Sequence, residues 1–231
     1  MTKIAFLVPS SSKNRNWESF TDTYIHKHLL SSARKTKDDD FQYSFYLGFD
    51  PKDRIYSSEM FMENIKMEYG SEFLINIAVF ECGIEPGHLT KMWNKLFSKA
   101  YEDGCDYFFQ CGDDVELLDV GWCSACVNSI KSNNNMGMVG PIDVDYPRIL
   151  TQTMVSRKHM KVFGYYFPEE IKNWYCDDWI NEVYRLTKLA HKPEGRCVNR
   201  GGSQRYDIVR VVPNFEELVK SGVESINQEM L

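Results

Sequence analysis

An α/β fold, with a mixed but mainly parallel sheet flanked by helices in a single compact domain, follows from three features of the sequence. Apolar, strand-like runs alternate with helix-like stretches. Polar or acidic residues stand immediately after the apolar runs. The 231 residues, at 43% hydrophobic and 14% aromatic content, suffice for one large core or two that share a sheet. Strand, turn and helix in repeating order argue for right-handed crossovers, with ligands gathering at the carboxyl ends of the strands.

The elements follow in order. KIAFLVP, from Lys3 to Pro9, reads as a first strand, and the polar SSSKNRN after it as a loop into a helix over Trp17 to Ser32. Beyond the charged KTKDDD linker, FQYSFYLGFDP is a second strand ending at Gly48 and Asp50, followed by a helix over Ser57 to Tyr69. LINIAVFEC, from Leu74, reads as a third strand. From His88, the residues Leu89, Met92, Trp93, Leu96, Phe97 and Ala100 recur at the spacing of one helix face, leaving Lys91, Asn94, Lys95 and Lys99 off the stripe. Asp103-Gly104 suits the end of that helix, and CDYFFQC opens the next strand.

That strand runs directly into Gly112, Asp113, Asp114 and Glu116. Carboxylates brought together at a strand end repel one another unless a cation or a set of donors offsets their charge. A hard divalent ion, Mg2+ or Mn2+, does this well and commonly bridges one or two carboxylates to phosphates. In extended chain Asp114 and Glu116 share one side and Asp113 takes the other, so the turn at Gly112 matters. The same segment also reads as a solvated acidic turn.

Bulk properties exclude other classes. A formal charge of -6, with aromatics not interleaved among lysines and arginines, offers no basic face for a nucleic-acid backbone. No apolar run approaches the ~20 residues of a membrane span. Seven cysteines, behind an opening MTKIAFLVP without signal-peptide character, are expected to be reduced thiols in a cytoplasmic protein. Cys123 and Cys126 form a CxxC in a probable helix without a second pair, and read as buried thiols rather than a zinc or redox site.

GHLTKMWNKLFSKAYEDGCDYFFQCGDDVELLDVGW resembles the helix, strand and DxD-type segment of the GT-A glycosyltransferases, over roughly residues 3 to 190. The likeness is greatest to the compact GT-A transferases of large DNA viruses, which would place the protein in the host cytoplasm. Gly112 stands where many members have the first acid, so the motif is xDD. The resemblance implies Asp114 as the metal ligand, with Asp113 facing the ribose or a metal-bound water and Glu116 in reserve. It also implies a nucleotide-sugar donor held by Pro9, Ser10, Ser11, Asp50, Asn94 and Asp113. Asp50 equally reads as the cap of an FDPKD turn.

FGYYFPEEIKNWYCDDWINEVY, from Phe163, holds a second acidic pair, Asp177 and Asp178. Aspartates at a helix start are favourable by themselves, which accounts for one better than for two in an aromatic setting. In inverting members of the family a pair at this place supplies the general base. The resemblance therefore implies Asp178 as base, Asp177 as alternate, and Phe163, Gly164, Tyr165 and Trp174 as the wall for a glycan or glycoprotein acceptor. His159 and His191 read as ordinary surface or core histidines before ligands or bases. In the Gly- and Arg-rich tail, Arg196, Arg200 or Arg205 would serve a loop that closes on a diphosphate.

The expected division is a nucleotide-sugar-binding half over residues 1–116 and an acceptor-binding half with the tail over 117–231. The expected activity is a metal-dependent hexosyl transfer from a nucleotide-diphosphate sugar, tilted toward inversion. A sugar nucleotidyltransferase should carry a glycine-rich loop after the first strand, and SSSKNRNW has no glycine. A catalytically inactive nucleotide-sugar or carbohydrate-binding protein is the other alternative.

Overall fold

Strand β1 (Thr2–Ser10) lies at the centre of a six-stranded sheet because its side chains are apolar on both faces. Ile4, Phe6 and Val8 point into one core, and Ala5 and Leu7 into the other. β1 pairs in parallel with β2 (Phe41–Phe49) on one side and β4 (Tyr107–Gln110) on the other. β2 pairs in parallel with β3 (Ala78–Glu81), and β8 (Thr153–Ser156) runs antiparallel to both β4 and β6 (Met138–Val139). The order is β3-β2-β1-β4-β8-β6. A smaller sheet, β5-β9-β7, joins β5 (Val115–Leu117), β9 (Arg196–Asn199) and β7 (Ile142–Asp143). This computed structural model describes residues 1–71, 78–202 and 204–231.

Helices cover both faces. Short helical turns (Phe20–Asp22 and Ile25–Leu30), α1 (Ser31–Lys35), α2 (Glu59–Tyr69) and α4 (Trp122–Ser132) enclose the first core. α3 (Leu89–Glu102), α5 (Arg157–Phe163), α6 (Cys176–Leu186) and α7 (Phe215–Glu229) enclose the second. The helix expected over Trp17 to Ser32 starts later and is broken into three pieces. Asp22 takes the backbone N–H groups of Glu18 and Ser19, which makes this stretch a tight capped turn instead of a helical one. Ser58 caps α2 by accepting from the Phe61 N–H at 3.2 Å, close to the expected start. Of the expected third strand, residues 74–77 lie outside the described residues, and Ala78–Glu81 form β3.

Asn94 corrects the helical stripe. It is buried, not off the apolar face: its Nδ2 donates to the Phe167 carbonyl at 2.8 Å, and its Oδ1 accepts from the Tyr166 and Phe167 N–H groups at 2.9 Å each. All seven cysteines, Cys123 and Cys126 included, are buried and free. Among the described residues no helix is long and apolar enough to cross a membrane. β5, around residue 116, pairs with β9, which comes from far along the chain.

Candidate active site at the carboxyl ends of the strands

Three parallel strands end at one cleft. Pro9 and Ser10 end β1 and Ser11 follows it, Asp50 follows β2 and Asp114 follows β4, and all five line a cavity of about 350 Å³. Arg15 from the polar loop, Leu89 and Met92 from α3, and Asn173 and Trp174 complete the walls. The tail closes it: Gly202, Gln204, Arg205, Tyr206, Asp207 and Ile208 lie along the same cavity. Residues of the first half are thus covered by a strap from the second.

Asp114 sits in a narrow cup of backbone. A Cβ on Gly112 or Gly201 would collide with its carboxylate, so only glycine lets the chain pass on either side. The Asp114 carbonyl accepts from the Arg200 N–H at 2.8 Å. Burial, with the charge of Asp113 next to it, pushes the Asp114 carboxyl up to about 6.

Asp113 is turned away from the cleft. It is 1% exposed, and Nη2 of Arg205 donates to both of its oxygens, at 2.9 and 2.8 Å. The Tyr56 hydroxyl reaches it at 3.5 Å. Burial raises the Asp113 carboxyl and the Arg205 charge pulls it back down. The Arg205 guanidinium also stands 5.6 Å from the Trp17 ring centre and 5.7 Å from that of Tyr24. Asp113 therefore does not face the cleft as expected, and Glu116 is taken by Arg200 at 2.7 Å.

Among the described residues no set of three His, Cys, Asp or Glu side chains is arranged to hold a metal ion. The residues fit a divalent ion in a narrower sense. Asp114 offers one hard, half-buried carboxylate on the cleft wall, with a second carboxylate next to it, which suits an ion completed by phosphates and water.

The loop after β1 is fixed by a residue that sequence reasoning passed over. Asp53 accepts from the Ser12 N–H at 2.7 Å and the Ser11 Oγ at 3.4 Å, and its other oxygen takes the N–H groups of Ile55 and Tyr56. Its only signal is its place in FDPKD, three residues after Asp50. Burial raises the Asp50 carboxyl. Tyr206, also missed, bonds Ser11 Oγ at 3.0 Å, lies under Lys13 at 4.3 Å, and packs on Gly87.

The other expected residues divide. Trp174 lines the cleft, but Gly164 and Tyr165 line a separate depression with Asn94, and Phe163 packs on His159 and Trp179. Neither Asn94 nor this trio is brought to the cleft. Asp177 and Asp178 occupy the first turn of α6, whose cap Tyr175 has a left-handed φ of 72°. Asp178 lines a second cavity of about 630 Å³ with Arg148, Asn181, His191 and Lys192, and Arg148 stands 3.7 Å from it. Burial and the charge of Asp178 raise the Asp177 carboxyl. His159 is a core residue: its ring bonds the Tyr184 hydroxyl at 2.7 Å, and burial holds it neutral, lowered to about 4. Arg196 pairs with Asp119 instead of facing the cleft.

Solved structures share this architecture. S. aureus TarS 1-349 in complex with UDP-GlcNAc matches at a TM-score of 0.61 and 12% identity, over 98% of this chain and 66% of that one. GalNAc-T7 with UDP, GalNAc and Mn2+ matches at 0.62 and 12% identity, over 98% of this chain and 48% of that one. The chain has the GT-A fold. A longer S. aureus TarS structure matches at 0.56 and 12% identity over 83% of this chain, which spans only 35% of that protein. No protein-family model matches the sequence, and no curated protein matches it.

Proposed function

We propose that the protein is a metal-dependent glycosyltransferase that moves a sugar from a UDP-sugar to a hydroxyl of a glycan or glycoprotein. The observation that carries the reading is Asp114. It is a raised, half-buried carboxylate at the end of β4, in a cleft built from the loop after β1 and the acid after β2. UDP-bound structures with the same fold support it.

In this reading the 1–116 half receives the nucleotide at Pro9, Ser10, Ser11 and Asp50. A Mn2+ or Mg2+ held by Asp114 would supply positive charge to the diphosphate leaving group. Arg15, lining the same cleft, adds a donor for it. The acceptor hydroxyl attacks the anomeric carbon as the bond to the diphosphate breaks. Asp178 takes the hydroxyl proton, which gives inversion. Asn173 and Trp174 line the donor cleft, and α6 begins two residues later. The acid pair is thereby tethered to the donor cleft while Asp178 opens on the second cavity, where the acceptor enters. The same reading keeps the protein among the compact transferases of the host cytoplasm.

A screen of nucleotide sugars, by thermal shift and by metal-dependent donor hydrolysis, tests the proposal without knowledge of the acceptor. Stabilisation by UDP-sugars only in the presence of Mn2+ or Mg2+ is the expected result. Indifference to every nucleotide sugar would refute it.

A further inference from the structure

Within the strap, Arg205 does something that the closing of a loop does not require. It lines the cleft, while the carboxylate that it holds, Asp113, does not. Arg205 therefore stands between Asp113 and any ion entering the cleft. The carboxylate it covers is the immediate neighbour of Asp114 and the natural candidate for a second contact to a divalent ion. Glu116, the remaining acid of the cluster after β4, is paired with Arg200 from the same strap. Two arginines thus meet two of the three acids of the 113–116 cluster, and among the described residues no side chain pairs with Asp114.

The arrangement is fastened at several points. Asn173 donates from Nδ2 to the Asp207 carbonyl at 3.0 Å and accepts the Val209 N–H at 3.0 Å. Tyr206 is tied to Ser11, and the Arg200 N–H to the Asp114 carbonyl. The Arg205 side chain is 16% exposed, so its bond to Asp113 is little screened by solvent. A divalent ion that sought both aspartates would have to displace a buried arginine from its carboxylate.

Resting on the transferase reading above, we propose that Arg205 is a positioning residue, a built-in cation that withholds Asp113 from the metal. Of the 113–116 cluster, Asp114 alone then meets the ion. One carboxylate is a weak site by itself, because Mg2+ and Mn2+ hold several waters and bind well only when phosphates add their oxygens. Metal binding thereby waits for the nucleotide diphosphate, and free ion does not accumulate in an empty cleft.

The test is Mn2+ affinity measured without nucleotide, by titration calorimetry and by the EPR signal of free Mn2+. Wild type should bind weakly. Arg205→Gln should bind at least ~10-fold more tightly, since two adjacent carboxylates then share no cation. Mn2+ should also raise the Tm of Arg205→Gln more than that of wild type. The double variant Arg205→Gln/Asp113→Asn should return to wild-type affinity, and Arg205→Lys should stay near it. Unchanged or weaker Mn2+ binding in a folded Arg205→Gln overturns the proposal.

Asp113→Asn alone gives a measurement that does not depend on the arginine variant folding. With UDP present, its Mn2+ affinity should stay within ~3-fold of wild type. A loss of ~10-fold or more makes Asp113 a ligand and overturns the proposal. If UDP and Mn2+ bind together through Asp114 while Arg205→Gln changes nothing, this inference alone fails. If Arg205→Gln tightens Mn2+ while no nucleotide binds, the withholding role stands and the transferase reading fails.

Discussion

Asp113-Asp114 and Asp177-Asp178 are both adjacent acids beside a cavity, yet they are held in opposite ways. The first pair ends a central strand. Its inner member is covered by an arginine reaching from residue 205, and its outer member is enclosed by two glycines. The second pair begins a helix, where unsatisfied N–H groups already favour negative charge. Asp178 is 37% exposed at its side chain, and the exposed Arg148 stands 3.7 Å from it. Fixed charge at a strand end suits holding a bound cation, whereas a half-exposed carboxylate beside an open cavity suits taking a proton from a molecule that comes and goes. The largest test of that contrast is Asp178→Asn. Transfer should fall by ~10²–10⁴ while the affinity for UDP with Mn2+ stays near wild type. Parallel turnover assays and calorimetry decide it, and Asp177→Asn shows which acid serves. A loss of donor affinity instead would place both pairs at one site and break the comparison.

Asp114→Asn addresses the other pair. It should reduce the affinity for UDP with Mn2+ by ~100-fold, because the ion loses its charged protein ligand. The same substitution should stabilise the metal-free protein. The folded Asp114 carboxyl titrates near 6, above the ordinary 3.8. Its charged form therefore costs stability, a cost that is absent well below pH 4, grows as pH rises, and is complete above about 6. Above that pH the variant should gain about 1–2 kcal/mol, roughly 2–6 °C in Tm, and the gain should vanish by pH 4. Metal affinity of wild type should weaken as pH falls through about 6. Thermal melts in chelator across this range check the sign, and a destabilised variant at pH 7.5 would contradict it.

The two pairs also differ in how far the sequence discloses them. The β1, β2 and β4 strand ends were legible, because each is a local apolar run that stops at a polar residue, and a parallel sheet aligns such ends. Pro9, Ser10, Ser11, Asp50 and Asp114 consequently arrive together. Arg205 was legible as a cation near the cleft, but its partner was not, since Asp113 and Arg205 are 92 residues apart. Asp53 escaped notice because its work is on backbone N–H groups, which leave no side-chain pattern. Phe163 and Tyr165 are expected in a sugar-binding wall from the resemblance and from the stacking of sugars on aromatic faces, and their rings turn to the core around Trp179. Aromatic residues report burial more readily than they report a ligand.

Asn94 lies outside both pairs. Its three hydrogen bonds fasten the 166–167 backbone to α3, ahead of the segment that carries the acid pair. Asn94→Ala would leave two buried N–H groups and a carbonyl unpaired, at a cost of about 2–3 kcal/mol. Chemical denaturation should show that loss, with the affinity for UDP with Mn2+ unchanged in the folded protein. A variant with normal stability and impaired donor binding would return Asn94 to the donor site.

Trp174 carries the smallest expected effect, and it lies where the two regions meet. Its ring is 49% exposed, lines the donor cleft, and faces the Arg210 guanidinium at 5.3 Å. The neighbouring Asn173 fastens the strap through backbone groups of Asp207 and Val209, so the strap does not depend on the Trp174 ring alone. An exposed indole with an unburied face is a surface on which a sugar ring can stack, worth about 0.5–1.5 kcal/mol. Trp174→Ala should therefore raise the acceptor KM by roughly 2–10-fold, with kcat and donor affinity close to wild type. Trp174→Phe should recover part of the loss, because it keeps a flat apolar face. Steady-state kinetics with acceptor varied at saturating donor separate the two parameters. If Trp174→Ala weakens donor binding and leaves the acceptor KM alone, the ring belongs with the strap and the Asp113-Asp114 side, and the acceptor must approach Asp178 by another wall.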